Sequence, residues 1–254
     1  MRVTSGEILA IIAAATGAGA INAVVGSGSL ITFPTLLAFG FPPVIANVSN
    51  NVGLVPGNIA GTLGYRKELA GQRTRLLRLG VASGAGSLAG AIALLALPAG
   101  VFEVIVPALI IVACVLVVVQ PRLSAWVAGR GGHRSEHGGP VLVAGVFLAG
   151  VYGGYFGAAQ SVLLIGLLGV LLTETLQRVN AARNVLVTIV NAVAAIVFVL
   201  FAHMAWLAVG LIAAGSTAGG LVGARIGRRL PPLALRIIIV IIGVVAAVKL
   251  IFFP

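Results

Sequence analysis

Long apolar stretches with at most one charged residue each recur along the chain and predict membrane-spanning helices. Eight of them approach the roughly 20 residues that a helix needs to cross about 30 Å of hydrocarbon. They cover residues 7 to 25, 43 to 64, 79 to 97, 102 to 119, 140 to 157, 184 to 201, 205 to 224 and 237 to 253. Two apolar runs, 29 to 40 and 161 to 172, are about half as long. The pattern predicts an all-α, polytopic integral membrane protein with about eight to ten membrane segments.

Composition and charge agree with this class of protein. The chain is 60% apolar and 8% charged, whereas a soluble domain is about 45 to 50% apolar. The net charge of +11 would suggest a nucleic-acid partner in a soluble protein, but eleven of the sixteen basic residues are grouped after the second, fourth and seventh of these long spans. The grouped residues are Arg66, Lys67, Arg73, Arg75, Arg78, Arg122, Arg130, Arg134, Arg225, Arg228 and Arg229. The positive-inside rule therefore places three basic loops in the cytoplasm, and no nucleic-acid partner is expected.

The two halves of the chain are related in sequence. Three asparagines recur 133 positions later, and Gly19 and Gly26 recur 131 positions later as Gly150 and Gly157. The asparagines are Asn47, Asn51 and Asn58 in the first half and Asn180, Asn184 and Asn191 in the second. We therefore divide the chain into repeat 1 (1–119), a basic cytoplasmic linker (120–139) and repeat 2 (140–254).

The charge pattern predicts that these repeats are inverted. The first half ends in the cytoplasm and the second outside, so each half has an odd number of net crossings and both termini lie outside. Each repeat then contains about four helices, including one that is broken or half-length. Inverted repeats with broken helices are typical of transporters that bind substrate near the membrane midplane.

The breaks that precede the two half-length helices are the first candidate site. One is Gly26-Ser27-Gly28-Ser29, and the other ends in Gln160-Ser161. Each leads into a helix N-terminus, where free N–H groups and the helix dipole favour a bound anion. Ser29 is expected to cap its helix. The alternative is that these glycines only allow helices to cross closely.

Asparagine amides and one arginine complete the predicted site. Asn47 and Asn51 share a helix face, as do Asn180 and Asn184, and amide N–H groups can bind oxyanion oxygens. Arg183 lies inside the same motif, where its permanently charged guanidinium suits an anion. The alternatives are that the asparagines only join helices, and that Arg183 reaches the cytoplasmic headgroups.

The chain offers little for catalysis or metal binding. It contains no Asp, its Glu residues fall at span ends or loops, and Cys114 has no cysteine partner. We therefore expect no enzyme activity, no metal and no cofactor. The expected partners are a small anionic substrate and membrane lipid, with a second copy of the chain as an alternative cover for part of the apolar surface.

The motifs together resemble the TauE/SafE (DUF81) family of membrane transporters. The resemblance rests on the glycine-rich break from Gly19 to Leu30, on Pro34 and Gly40, on Ala46-Asn47-x-Ser49-Asn50, and on their weaker second copies. It implies a multi-pass protein of the bacterial plasma membrane that exports sulfite, sulfoacetate or a similar sulfur anion. The second copy departs from the pattern at Ala158, Ala159, Gln160 and Arg183. A passive anion channel and a non-transporting scaffold subunit are the alternative functions.

Overall fold

The structure is a computed structural model that describes residues 4–24, 26–129, 139–226 and 232–252. These residues form ten helices, five in each half of the chain, where the sequence predicted about four. The helices are α1 (Ser5–Val24), α2 (Ser29–Ala38), α3 (Pro43–Gly64), α4 (Arg73–Ala96), α5 (Ala99–Gly129), α6 (Pro140–Tyr155), α7 (Gln160–Leu171), α8 (Leu176–Phe201), α9 (Trp206–Ile226) and α10 (Pro232–Phe252). The all-α prediction is confirmed.

Five of the described helices, α1, α4, α5, α8 and α9, are long and apolar enough to cross a membrane. The half-length helices also lie where the sequence placed them, as α2 and α7. Helix α5 continues to Gly129, so residues 120–129 of the predicted linker are helical. Residues 130–138 of that linker lie outside the described part.

Helices α1 and α9 pack side by side and run in the same direction. A Cβ atom built on Gly215 would lie 2.7 Å from the Cβ of Ala15, and one on Gly223 would lie 2.5 Å from the Cα of Ala20. The residue numbers of the contacting pairs rise together on both helices, as they do only in a parallel pair. Backbones approach this closely only where the facing residue is small.

Helices α4 and α6 repeat this arrangement in the other half. A Cβ on Gly86 would lie 2.1 Å from the Phe147 carbonyl oxygen, and one on Gly90 would lie 2.0 Å from that of Val151. This pair is also parallel. The first helix of each half thus packs along the fourth helix of the other half.

Two connections meet at one end of the molecule, which we call the basic end (residues 65–78 and 172–178). Arg75, at the start of α4, forms an ion pair with Glu174, which precedes α8. At the opposite end, the Ala205 N–H donates a hydrogen bond of 2.9 Å to Ser49 Oγ, and Lys249 Nζ donates one of 3.3 Å to the Ala38 carbonyl. The α2–α3 connection, the α8–α9 connection and the end of α10 therefore lie together.

The broken helices enter and leave the bundle at the same end. Helix α1 begins at the opposite end, because it runs parallel to α9, and α2 returns to that end at Ala38. Helix α6 begins at the basic end, because it runs parallel to α4, and α7 returns to it before Glu174. Each half thus starts with a re-entrant hairpin, and the two hairpins enter from opposite ends. Phe33 and Phe156 pack edge to face between them, with ring centroids 5.4 Å apart.

Candidate functional site

The two breaks begin with the same backbone geometry. The Gly26 N–H donates a hydrogen bond of 3.1 Å to the Ile21 carbonyl, and the Gly157 N–H donates one of 3.1 Å to the Tyr152 carbonyl. Both glycines have positive φ, 84° and 80°, which favours glycine because it has no Cβ. The 131-residue relation found in the sequence therefore extends to individual hydrogen bonds.

The expected capping by Ser29 is wrong. Ser29 is the first residue of α2, Gly28 is the N-cap, and no side chain caps the helix end. Helix α7 also lacks a side-chain cap; its N-cap is Ala159, with a left-handed φ of 58°. The Gly28 N–H instead donates a hydrogen bond of 3.3 Å to Asn22 Oδ1, from α1.

The two breaks meet near the middle of the bundle. A Cβ on Gly26 would lie 2.3 Å from the Ser161 Cβ and 2.9 Å from Arg183 Nη1. The missing side chain of Gly26 therefore lets the first break contact the start of α7 and the guanidinium on α8. A Cβ on Gly28 would lie 2.2 Å from the Ala18 carbonyl oxygen. This second glycine allows close helix packing, as the alternative interpretation of the breaks requires.

A small polar cavity lies where the hairpins meet α3 and α8. It has two compartments, of about 20 and about 10 Å³. Both compartments are lined by Asn22, Ser161 and Val187. The larger is also lined by Gly26, Ser29, Asn50, Asn51, Leu54, Phe156, Gly157 and Asn191, and the smaller by Gly57, Asn58, Gly61 and Asn184. A volume of about 10 to 15 Å³ is the minimum for one water, so the cavity is nearly closed around its polar groups.

The structure brings together five of the residues predicted for the site. Gly26, Ser29, Asn51, Ser161 and Asn184 line the cavity. The other predicted residues, Ser27, Gly28, Asn47, Gln160, Asn180 and Arg183, line neither compartment.

Two of these asparagines therefore differ from the prediction. Asn47 Nδ2 donates a hydrogen bond of 3.0 Å to the Tyr155 carbonyl at the end of α6, so this side chain joins helices. Asn180, one turn before Asn184, is half-buried nearer the basic end. Spacing along a helix face places residues on one side, but it does not decide how deep in the bundle each one lies.

Arg183 is fully buried just behind the cavity. Its side chain is 0% exposed, and Nη2 donates a hydrogen bond of 2.6 Å to Oδ1 of the cavity residue Asn184. The alternative that Arg183 reaches the headgroups is therefore wrong. The guanidinium places a permanent positive charge beside the cavity, because arginine stays protonated at physiological pH.

Four cavity asparagines were absent from the predicted site: Asn22, Asn50, Asn58 and Asn191. Asn51 Nδ2 donates a hydrogen bond of 3.3 Å to Asn191 Oδ1, and Asn22 Nδ2 donates one to Asn58 Oδ1. The first bond joins α3 to α8 in the other half, and the second joins α1 to α3. Both agree with the alternative interpretation, in which the asparagines join helices. The repeat identified Asn58 and Asn191, which were not carried into the site, but Asn22 has Gly153 as its counterpart and gave no repeat signal.

An ion-pair cluster closes the basic end. Glu174 lies 2.6 Å from Arg75 Nη2 and 2.5 Å from Arg178 Nε. Arg75 Nη2 also donates a hydrogen bond of 2.6 Å to Gln72 Oε1, and Arg178 Nη1 donates one of 3.1 Å to the Ala70 carbonyl. Partial burial acts to raise the pKa of Glu174, but the hydrogen bonds and charges of both arginines outweigh it and lower the pKa below its usual value. The cluster therefore joins the two halves.

Comparison with known proteins places the chain in a family. The model of the family described as sulfite exporter TauE/SafE matches residues 11–250. No solved structure matches the chain.

Relatives in three bacteria resemble nearly the whole chain. The probable membrane transporter protein YfcA of Escherichia coli K12 is 25% identical over 92% of this chain and 86% of its own length. A probable membrane transporter protein of Haemophilus influenzae is 23% identical over 91% of this chain and 89% of its own. The probable membrane transporter protein ORF9 of Sinorhizobium sp. is 25% identical over 93% of this chain and 89% of its own. The chain therefore belongs to the sulfite exporter TauE/SafE family of membrane transporters.

Proposed function

We propose that this chain is a secondary transporter that exports a small sulfur oxyanion or organosulfonate, such as sulfite or sulfoacetate. The observation that carries the proposal is the meeting of two re-entrant hairpins, from opposite ends, at one polar cavity. The cavity is lined by Ser29 and Ser161, at the starts of α2 and α7, and by Asn51 and Asn184.

The chemistry of this arrangement suits an anion. The positive dipole end of each half-helix favours negative charge, and side-chain amide N–H groups add donors without adding charge. Arg183, in contact with Asn184, supplies the charge that offsets part of the cost of moving an anion out of water. The proposal involves binding and movement of the anion, with no covalent step.

The size of the cavity favours alternating access over a passive channel. Compartments of about 10 and 20 Å³ leave room for about one water each, so an anion of several atoms enters only if the hairpins move apart. Such a movement opens one end while the other stays closed. We place the basic end on the cytoplasmic side of a bacterial plasma membrane, because Arg66, Lys67 and Arg73 are exposed there.

The test is flux of sulfite and of sulfoacetate into proteoliposomes, with and without a pH gradient or a membrane potential. We expect saturable flux that is accelerated by substrate on the far side, and a loss of most of that flux in the double variant Asn51→Leu/Asn184→Leu. Gln120→Leu is the matched control, since it removes a buried amide from α5 that lines neither compartment.

Three results would count against the proposal. Unchanged flux in the folded double variant removes the assigned site. Flux that neither saturates nor responds to substrate on the far side favours the channel. No flux of any sulfur anion by folded wild-type protein reopens the substrate and favours carboxylates or a scaffold role.

A further inference from the structure

The two halves differ at two positions where an amide and a small residue are exchanged. Asn22 in α1 corresponds to Gly153 in α6, and Ser29 at the start of α2 corresponds to Gln160 at the start of α7. The relation of 131 residues is secure here, because the same relation links the equivalent hydrogen bonds that end α1 and α6. Each half thus carries one amide at this place, but from a different helix.

The Gln160 amide fills the place that a side chain at position 153 would need. A Cβ on Gly153 would lie 2.4 Å from Cδ and Oε1 of Gln160 and 2.6 Å from Nε2. A side chain at 153 therefore requires the Gln160 amide to leave this place. The first half has the opposite arrangement. There the amide comes from Asn22 on α1, and the residue at the start of the half-length helix is the small Ser29.

The two amides differ in their hydrogen bonds. Asn22 lines both compartments, donates to Asn58 and accepts from the Gly28 N–H. Gln160 is 1% exposed, and among the described residues neither its Nε2 nor its Oε1 has a hydrogen-bond partner. A buried amide without a partner costs free energy, so Gln160 is expected to pair in another state of the protein.

We infer that Asn22 and Gln160 are equivalent substrate-contacting amides that serve in alternate states of the transporter. In the described state the Asn22 amide faces the cavity and the Gln160 amide lies against α6 at Gly153. When the two halves exchange conformations, as inverted repeats do, Gln160 takes the place at the cavity that Asn22 leaves. This inference rests on the proposed transport function, and it assigns one specificity-determining amide to each face.

The first test compares the KM for sulfite at each face of uniformly oriented proteoliposomes. We expect Asn22→Ala to raise the KM about tenfold at one face and to change it little at the other, with Gln160→Ala doing the reverse. Gln120→Ala is the matched control and leaves both KM values unchanged. Equal effects at both faces, or a loss of rate without a change in KM, would mean that the amides have a structural role only and would overturn the inference.

The second test exchanges the amide between helices and is read by the amount of folded protein. Gly153→Asn alone is expected to lower the amount of folded protein, because its side chain displaces the buried Gln160 amide. Gly153→Asn/Gln160→Ser copies the arrangement of the first half and is expected to restore folding and sulfite transport. A double variant that folds no better than Gly153→Asn would show that the two positions are not equivalent.

The outcomes separate this inference from the proposed function. Folded wild-type protein that moves no sulfur anion contradicts the proposed function, and the inference is lost with it. Wild-type protein that transports sulfite, with both alanine variants keeping wild-type KM values at both faces, overturns the inference alone.

Discussion

The Arg75 guanidinium at the start of α4 lies 2.6 Å from the Glu174 carboxylate before α8, and this ion pair joins the two halves at the basic end. The opposite end has no counterpart among the described residues: Phe41 and Ala205 stand at the equivalent positions, and the connection is made by the Ser49 hydroxyl and the Ala205 N–H. The two halves are therefore joined by an ion pair at the basic end and by an uncharged hydrogen bond at the opposite end, although the repeats are related by inversion.

Removing the shared carboxylate is expected to destabilise the fold. In Glu174→Gln, two arginines lose their counter-charge at a site where Arg75 is 6% and Glu174 16% exposed. We expect a loss of about 2 kcal/mol, less than for a fully buried pair because water reaches one side. Thermal unfolding in detergent measures it. Glu103→Gln, at an exposed position in α5, is the control, and equal melting temperatures for both variants would contradict the prediction.

The same carboxylate predicts how stability changes with pH. The arginines lower the pKa of Glu174 in the folded state below its usual 4.5, so its contribution to stability is present above that value. The contribution is lost as the pH falls through the lowered pKa, when the carboxylate becomes protonated. We expect the melting-temperature difference between wild type and Glu174→Gln to be constant from pH 7 to about 5 and to shrink below about 4. A difference that grows with acidification would contradict the assignment.

Two glycines on α1 are expected to respond oppositely to the same substitution. A Cβ on Gly19 would lie 2.2 Å from the Ser216 carbonyl oxygen on α9, whereas nothing lies within 4 Å of one on Gly17. Gly19→Ala should therefore cost about 3 kcal/mol or more, and Gly17→Ala should be neutral or stabilise α1 by up to about 1 kcal/mol. Folded yield and melting temperature measure both. Equal tolerance of the two changes would show that α1 does not pack on α9 at Gly19.

The second break contains a strained alanine that glycine should relieve. Ala159 has a φ of 58°, a conformation that costs an L-residue about 1 to 2 kcal/mol. Ala159→Gly removes that cost, but it also gives up a buried methyl group and adds chain entropy to the unfolded state, so we expect little net change in stability. Ala158→Gly is the control and should destabilise, because Ala158 is equally buried and has no positive φ to relieve. A melting temperature for Ala159→Gly as low as that of Ala158→Gly would contradict the prediction.

The helix content, the half-length helices and the two breaks could be predicted from the sequence, because apolar run length and glycine position are local properties. The repeat also carried long-range information, since it led to Asn51 and Asn184, which lie at the cavity. Charge grouping indicated which connections share an end.

What the sequence did not reveal depends on contacts between segments far apart in the chain. Asn22 is a single asparagine in an apolar helix, and only its bonds to Asn58 and Gly28 make it part of the site. Asn47 shares the helix face of Asn51, yet it bonds to the end of α6 because helix spacing does not encode depth. Gln160 was predicted from its place at a helix start, but its amide lies against Gly153, which no local pattern indicates.

The buried guanidinium of Arg183 offers the sharpest test of charge in the proposed site. In Arg183→Gln an amide can still donate to Asn184 Oδ1, but the positive charge beside the cavity is gone. We expect the KM for sulfite to rise tenfold or more in folded protein, since a charge-assisted hydrogen bond is worth about 1.5 to 3 kcal/mol. The KM of Arg183→Lys should lie between those of wild type and Arg183→Gln, because lysine keeps the charge but loses the planar fork of donors. Arg73→Gln, which removes an exposed arginine at the basic end, should leave the KM unchanged, so equal values for the two glutamine variants would rule out Arg183 as the anion's counter-charge.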